Sequence, residues 1–195
     1  KASFLRKLVA QQIDEGTVSV FEGDANSVLL EKVFPNVRYR DYMRALCLLD
    51  PYGLHLDWKV VQTAGQERGI ELFINFPVYD ININVLPEKT AKAKPSDLNR
   101  MDRFWGDSTW HDLVYRRESD LFGADEDRKI NRITTLVKEY RKRLKSVSGF
   151  DYVPEPIPMK NTNGGIIYYL FFASPNRVGG KIVGQIFKNA ERFAR

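Results

Sequence analysis

The chain has 195 residues, 43% hydrophobic and 28% charged, the proportions of one folded domain with a modest insertion. Its net charge of +5 is segregated: residues 1–90 carry −2, residues 91–127 carry −3, and residues 128–195 carry +10, with 14 Lys+Arg against 4 Asp+Glu. No apolar run approaches the ~20 residues that span a bilayer; the lone Cys47 excludes an intrachain disulfide framework and argues for a reducing, cytoplasmic compartment, and with only His55 and His111 beside it no zinc site is expected.

Taken in order, residues 3–15 read as a helix, with Phe4, Leu5, Leu8, Val9 and Ile13 at helical spacing and Gly16 as its stop. Thr17–Phe21 alternates like a short strand and ends in Glu22-Gly23-Asp24. Ala25–Phe34 returns to helical spacing until Pro35-Asn36. Ala45–Leu49 is a short uninterrupted apolar run, suited to a strand buried on both faces of a parallel sheet. Asp57 is the N-cap expected for a helix through about Glu67, and Ile70–Phe76 is the next strand. Strands alternating with helices predict a parallel, right-handed α/β sheet.

Residues 79–127 break that rhythm. They are polar, carry Pro87 and Pro95, and read as an insertion of short helices, one over Ser96–Trp105 and one over Thr109–Arg117 capped by Ser108. Trp105 and Trp110 suit packing anchors there better than a lid. Residues 128–145 read as a long basic helix with Ile130, Ile133, Leu136, Val137, Tyr140 and Leu144 on one side.

Phe150–Met159 has prolines at 154, 156 and 158. Amides at alternate positions of a strand face one way, so the donors on that side are missing and the segment belongs at a sheet edge. Asn161–Gly165 is a tight-turn sequence, and Ile166–Ala173 is apolar on both faces, so it is an interior strand. The last strand is therefore expected to insert antiparallel between the edge strand and the rest of the sheet, before a terminal helix over about 180–193.

An antiparallel last strand placed that way resembles the class I S-adenosylmethionine-dependent methyltransferases, a Rossmann-like doubly wound fold with strand order 3-2-1-4-5-7-6. The matching pieces are Val18–Asp24, Ala45–Asp50, Ile70–Phe76, Phe150–Met159 and Ile166–Ala173, as strands 3, 4, 5, 6 and 7. The domain would cover 1–78 and 128–195, interrupted by the helical insertion 79–127. Gly23-Asp24-Ala25-Asn26, Leu48-Leu49-Asp50-Pro51-Tyr52-Gly53 and Tyr168–Ser174 resemble, more narrowly, the methyltransferase-like three-Cys-motif partner protein family. Strands 1 and 2 and the glycine-rich loop between them have no counterpart here, so a longer natural protein is expected.

The resemblance implies S-adenosylmethionine as cofactor, bound over the C-terminal ends of the strands. Asp24 would accept from the adenine amine, with Ala25 giving a backbone donor; Asp24 is equally suited to capping the next helix. Asp50 and Tyr52 are the catalytic candidates, with Asp50 also adjoining the cofactor. In amino-methyltransferases an Asp/Asn-Pro-Pro-Tyr/Phe segment sits at this place: the carboxylate and a main-chain carbonyl accept from the target amine, and the ring stacks on the base. Here one proline, Pro51, stands where that pattern has two. Pro51, Asn75 and Tyr79 are the substrate-binding candidates, and His55 is a lesser candidate base.

Three functions follow as expectations. One is methyl transfer to nucleic acid met through the basic segment 128–145. Another is a non-catalytic protein of the same fold that works with a protein partner. The last is a nucleic-acid module carried by the basic helix alone. No metal and no membrane partner is expected.

Overall fold

The computed structural model describes residues 2–12, 18–87, 93–119, 125–130 and 133–193. α1 (Ala2–Gln12) opens the chain, with Phe4 and Leu5 exposed; Ile13 to Thr17 lie outside the described residues. The strand expected from Val18 does not form: residues 18–23 adopt no regular secondary structure, and Val18 and Phe21 are exposed. A strand needs a ladder partner for its amides and carbonyls, and no described strand lies beside this segment. α2 (Ala25–Val28) follows and runs on through a wide π-helical turn over Leu29–Val33 and a 3-10 turn over Phe34–Asn36.

β1 (Ala45–Leu49), α3 (Trp58–Glu67) and β2 (Ile70–Phe76) form the expected parallel unit. Along β2 the side chains alternate strictly. Ile70, Leu72, Ile74 and Phe76 face the core under α3, while Glu71, Phe73 and Asn75 face the other way. β1 departs from expectation on that second face, where Leu46 is 57% and Leu48 74% exposed. Being uninterruptedly apolar did not bury both faces, because no described helix covers β1 there.

After β2, α4 (Val78–Asp80) continues as a π-helical turn to Val85, and α5 (Pro95–Trp105) and α6 (Trp110–Val114) follow. α6 is shorter than the sequence pattern suggested. At Tyr115 the chain becomes β3 (Tyr115–Ser119), which pairs antiparallel with β4 (Asp125–Lys129). The insertion therefore holds a β-hairpin as well as helices, and Arg128 and Lys129 are strand residues. Tyr115 drives the switch: its ring is buried and its hydroxyl donates to the Pro87 carbonyl at 2.8 Å. The basic helix, α7, spans Ile133–Ser146.

β5 (Ile157–Lys160) and β6 (Ile166–Ala173) complete the main sheet, and α8 (Arg177–Phe193) ends it. The order is β1-β2-β6-β5, with β6 antiparallel to both neighbours and β5 at the edge. Only Ile157–Lys160 joins the ladder. Upstream, Tyr152 bridges Ser174 and the prolines keep 153–156 out. The turn is pinned by Asn161, whose Oδ1 accepts from the Asn163 and Gly165 amides, while Gly164 takes φ +80. The expected inserted strand and proline-marked edge are both present, in a mixed α/β architecture around a four-stranded mixed sheet.

Helices pack on both faces. α7 lies on the face of Phe76 and Phe171, where Tyr140 meets Trp58, Phe76, Phe104, Trp105 and Phe171 at ring separations of 5.0–5.8 Å. α8 lies on the opposite face, with Phe187 against Phe73. Trp105 and Trp110 are fully buried, so they are packing anchors. Their indole N–H groups donate to Thr109 Oγ1 and Asp102 Oδ1.

Candidate functional site

The C-terminal ends of β1 and β2 bring Asp50 and Asn75 together. Asn75 Nδ2 donates to Asp50 Oδ1 at 2.6 Å, across adjacent parallel strands. Asp50 is exposed, and its Oδ2 has no partner among the described residues. Pro51 is half-buried at the turn; Tyr52 stands 92% exposed, its ring 6.4 Å from that of His55 and near parallel to it. Tyr79, after β2, is also exposed.

The loop holding Tyr52 is fixed from below. Gly53 adopts φ +58, and a Cβ there would sit 2.5 Å from Asp80 Oδ2, so glycine alone lets the turn settle on this carboxylate. Asp80 is held by Asn84 Nδ2 at 2.6 Å and by Arg100 at 3.6 Å, and Arg100 also pairs with Asp97. Asp80 and Arg100 went unremarked in the sequence. Their role depends on α4 and α5 meeting under the loop, which no local pattern announces.

Asp24 caps α2. Its Oδ2 accepts from the Ser27 amide at 2.9 Å and from Ser27 Oγ at 3.2 Å. The Ser27 amide above all holds this carboxyl below the usual carboxylate range. Its Oδ1 has only a 3.5 Å contact from Asn26, which leaves it room to accept. Ala25 opens the helix, so its amide is a first-turn donor with no acceptor inside the helix.

Asn26 ties this segment to the loop after β1, and sequence reading missed it. Buried at 6% exposure, it donates to the His55 carbonyl at 3.0 Å and accepts from the Asp57 amide at 2.9 Å. Asp57 occupies the N-cap position of α3 but does not cap it with its side chain; the carboxylate pairs instead with Arg103 of α5 at 2.7 Å. The Asn in Gly23-Asp24-Ala25-Asn26 was a visible signal, since a polar side chain beside apolar positions needs internal partners. Asp24 and Asp50 thus lie on neighbouring segments cross-linked through Asn26. What this mouth offers is carboxylate oxygens with spare acceptor capacity beside two exposed phenol rings.

A cavity of about 670 Å³ lies elsewhere, at the opposite end of the sheet, lined by Tyr39, Arg44, Arg68, Asp151, Tyr152 and Arg177. Among the described residues no cluster of three or more His, Cys, Asp or Glu is arranged to hold a metal, and no helix is long and apolar enough to cross a membrane. Comparison with known proteins gave no matching family model, no matching curated protein and no matching solved structure.

Proposed function

We propose that this protein is an S-adenosylmethionine-dependent methyltransferase acting on nucleic acid. The supporting observation is the sheet order β1-β2-β6-β5 with β6 antiparallel. It corresponds to the 4-5-7-6 end of the class I order. The candidate residues suit the cofactor: Asp24 Oδ1 and the Ala25 amide can meet an adenine edge, and Asp50 Oδ2 is free. When bound, the cofactor supplies an electrophilic sulfonium methyl group.

The chain's own residues then have definable work. Asp50 would accept a hydrogen bond from the target amine, aim its lone pair and take the proton that the amine loses on methylation, while the donor's thioether leaves as its C–S bond breaks. Asn75 fixes the Asp50 carboxylate, and the Pro51 carbonyl is a second acceptor. Tyr52 gives a face on which a base can stack, and Tyr79 adds another at the rim. Asp50→Ala is expected to lower methyl transfer to nucleic acid by about 100-fold or more, because one positioned acid–base group is worth that much. The assay is transfer of labelled methyl by the full-length protein, and transfer at the parent rate by the variant would contradict the role.

A second reading, a methyltransferase-like protein that recognises a protein partner without catalysis, is favoured by exposed apolar surface. Leu46 and Leu48 on β1 and Val178, Ile182 and Ile186 on α8 are open, and such surface marks interaction sites. Absence of donor binding by the full-length protein separates the two.

A further inference from the structure

The basic C-terminal third does not present all its charge to solvent. Arg143 is turned inward, donating to the Trp105 carbonyl at 3.0 Å and to Asp107 at 2.8 Å. Arg141 spans the proline segment, donating to the Val153 and Pro154 carbonyls and pairing with Glu155. Lys142 pairs with Glu139, and Asp151 is taken by Arg68. The three described carboxylates of this region, Glu139, Asp151 and Glu155, are thus each matched by a cation. Lys138, Lys145, Lys160, Arg177, Lys181 and Lys188 are matched by none among the described residues.

Four of these unmatched cations form two rows. Lys138 and Lys145 are seven residues apart on α7, as are Lys181 and Lys188 on α8, so each pair shares a helix flank about 10 Å long. α7 and α8 cover opposite faces of the sheet, and the rows meet at its β5 edge. One row lines a groove of about 280 Å³ and the other a groove of about 730 Å³; Glu155, already neutralised by Arg141, lines both. Between them stands the ridge Pro154-Glu155-Pro156, and Pro158 continues it into the edge strand. Prolines withhold the amides an added protein strand would need. Charge is therefore the recognition chemistry this edge retains.

We infer that the β5 edge, with Lys138 and Lys145 on one flank and Lys181 and Lys188 on the other, is a docking face for the phosphate backbone of single-stranded nucleic acid. The inference rests on the nucleic-acid part of the function proposed above and not on methyl transfer. A backbone of phosphates can follow the convex edge and engage both rows. A bilayer fits worse. Anchoring on a lipid surface needs apolar side chains to insert, and the large apolar residues lining the grooves, Phe187 and Val137, are buried; the open Ile182 and Ile186 lie on a different flank of α8 from Lys181 and Lys188.

The test is fluorescence anisotropy of a labelled mixed-sequence single-stranded oligonucleotide against the full-length protein, without cofactor, over a range of salt. Four lysines neutralising phosphates give a slope of log K against log salt of about −2.8. Lys138→Ala with Lys145→Ala should flatten that slope by about 1.4, and so should Lys181→Ala with Lys188→Ala. Lys32→Ala with Lys59→Ala, exposed lysines elsewhere, should leave it unchanged. No binding, binding with a slope indifferent to both row variants, or binding only to anionic phospholipid vesicles would overturn the inference. Calorimetry with S-adenosylmethionine on the same preparation reads the cofactor site separately, so failure of one leaves the other standing.

Discussion

Arg143→Ala should destabilise the protein by about 3 kcal/mol, although it removes one residue from a run of lysines and arginines. The side chain is 16% exposed. Its guanidinium lies 5.1 Å from the Trp58 ring centre and 5.2 Å from that of Trp105. Each such contact contributes about 1 kcal/mol when partly desolvated. The hydrogen bonds to Asp107 and the Trp105 carbonyl involve a charged donor, worth about 1.5–3 kcal/mol for a typical case. These gains overlap, so their sum is not expected in full. Arg143→Lys should recover less than half, because an ammonium lacks the planar fork that stacks and reaches two acceptors together. Urea unfolding followed by circular dichroism reads the difference; an alanine variant within about 0.5 kcal/mol of the parent, the usual range for surface substitutions, would mean the arginine is ordinary surface charge.

The contribution should also fade in acid. Burial pushes the Asp107 carboxyl up, but hydrogen bonds from Thr109 and Arg143 outweigh it and hold the group below its usual value. A carboxyl depressed by folding stabilises above its unfolded pKa, and that stability is lost as pH falls through the folded value. The gap between parent and Arg143→Ala should therefore narrow below about pH 4, where carboxylates begin to take protons.

Gly106→Ala should cost a similar amount, about 3 kcal/mol, at the other side of the same knot. Gly106 ends α5 at φ +101, a conformation side chains rarely adopt, and its amide closes the helix onto the Asp102 carbonyl at 2.7 Å. An added Cβ would fall 2.6 Å from Trp58 Cγ, nearer still to Cδ1. The backbone penalty is about 1–2 kcal/mol, and overpacking against a buried ring adds about 1–3 kcal/mol. Trp58 cannot retreat, because Tyr140 stands edge-on behind it at 5.5 Å. The knot joins α3, α5 and α7, and α5 delivers Arg100 and Arg103 to the loops of the candidate site. A variant that survives should therefore show faster hydrogen exchange at the Asp57 amide, and unchanged stability would contradict the packing described.

What the sequence made legible were the features enforced locally. The prolines at 154, 156 and 158 marked the edge, and the apolar run Ile166–Ala173 marked the strand inserted beside it. The alternation of Ile70–Phe76 marked the second strand of the parallel unit, whereas Asp57, read as the cap of α3, makes no side-chain cap there. Segments whose conformation depends on a neighbour were not legible. Thr17–Phe21 alternates like a strand, but among the described residues Val18–Phe21 lie beside no strand, and β1 reads as doubly buried yet bares Leu46 and Leu48. Arg117 and Arg128 looked helical but sit in a hairpin, since β-pairing across 120–124 leaves no periodic trace.

The site divides the same way. Asp50, Asn75 and Tyr52 were singled out because they fall at strand ends, and Asp50 and Asn75 do meet. Asn26, Asp80 and Arg100 hold those loops through contacts across 20 to 31 positions of sequence, beyond any local pattern. Arg141 and Arg143, within the basic segment read as a path for nucleic acid, are internal ties.

The central claim is that the segment after Gly23 and the loop after β1 form one S-adenosylmethionine site. Titration calorimetry of the full-length protein tests it most directly, run beside Asp24→Ala and Asp24→Ser. The serine variant keeps a capping oxygen for α2 but lacks the carboxylate reach. The account predicts saturable binding by the parent and at least tenfold weaker binding by both variants, the scale of one charge-assisted hydrogen bond. No binding by the parent, or undiminished binding by the serine variant, would contradict it.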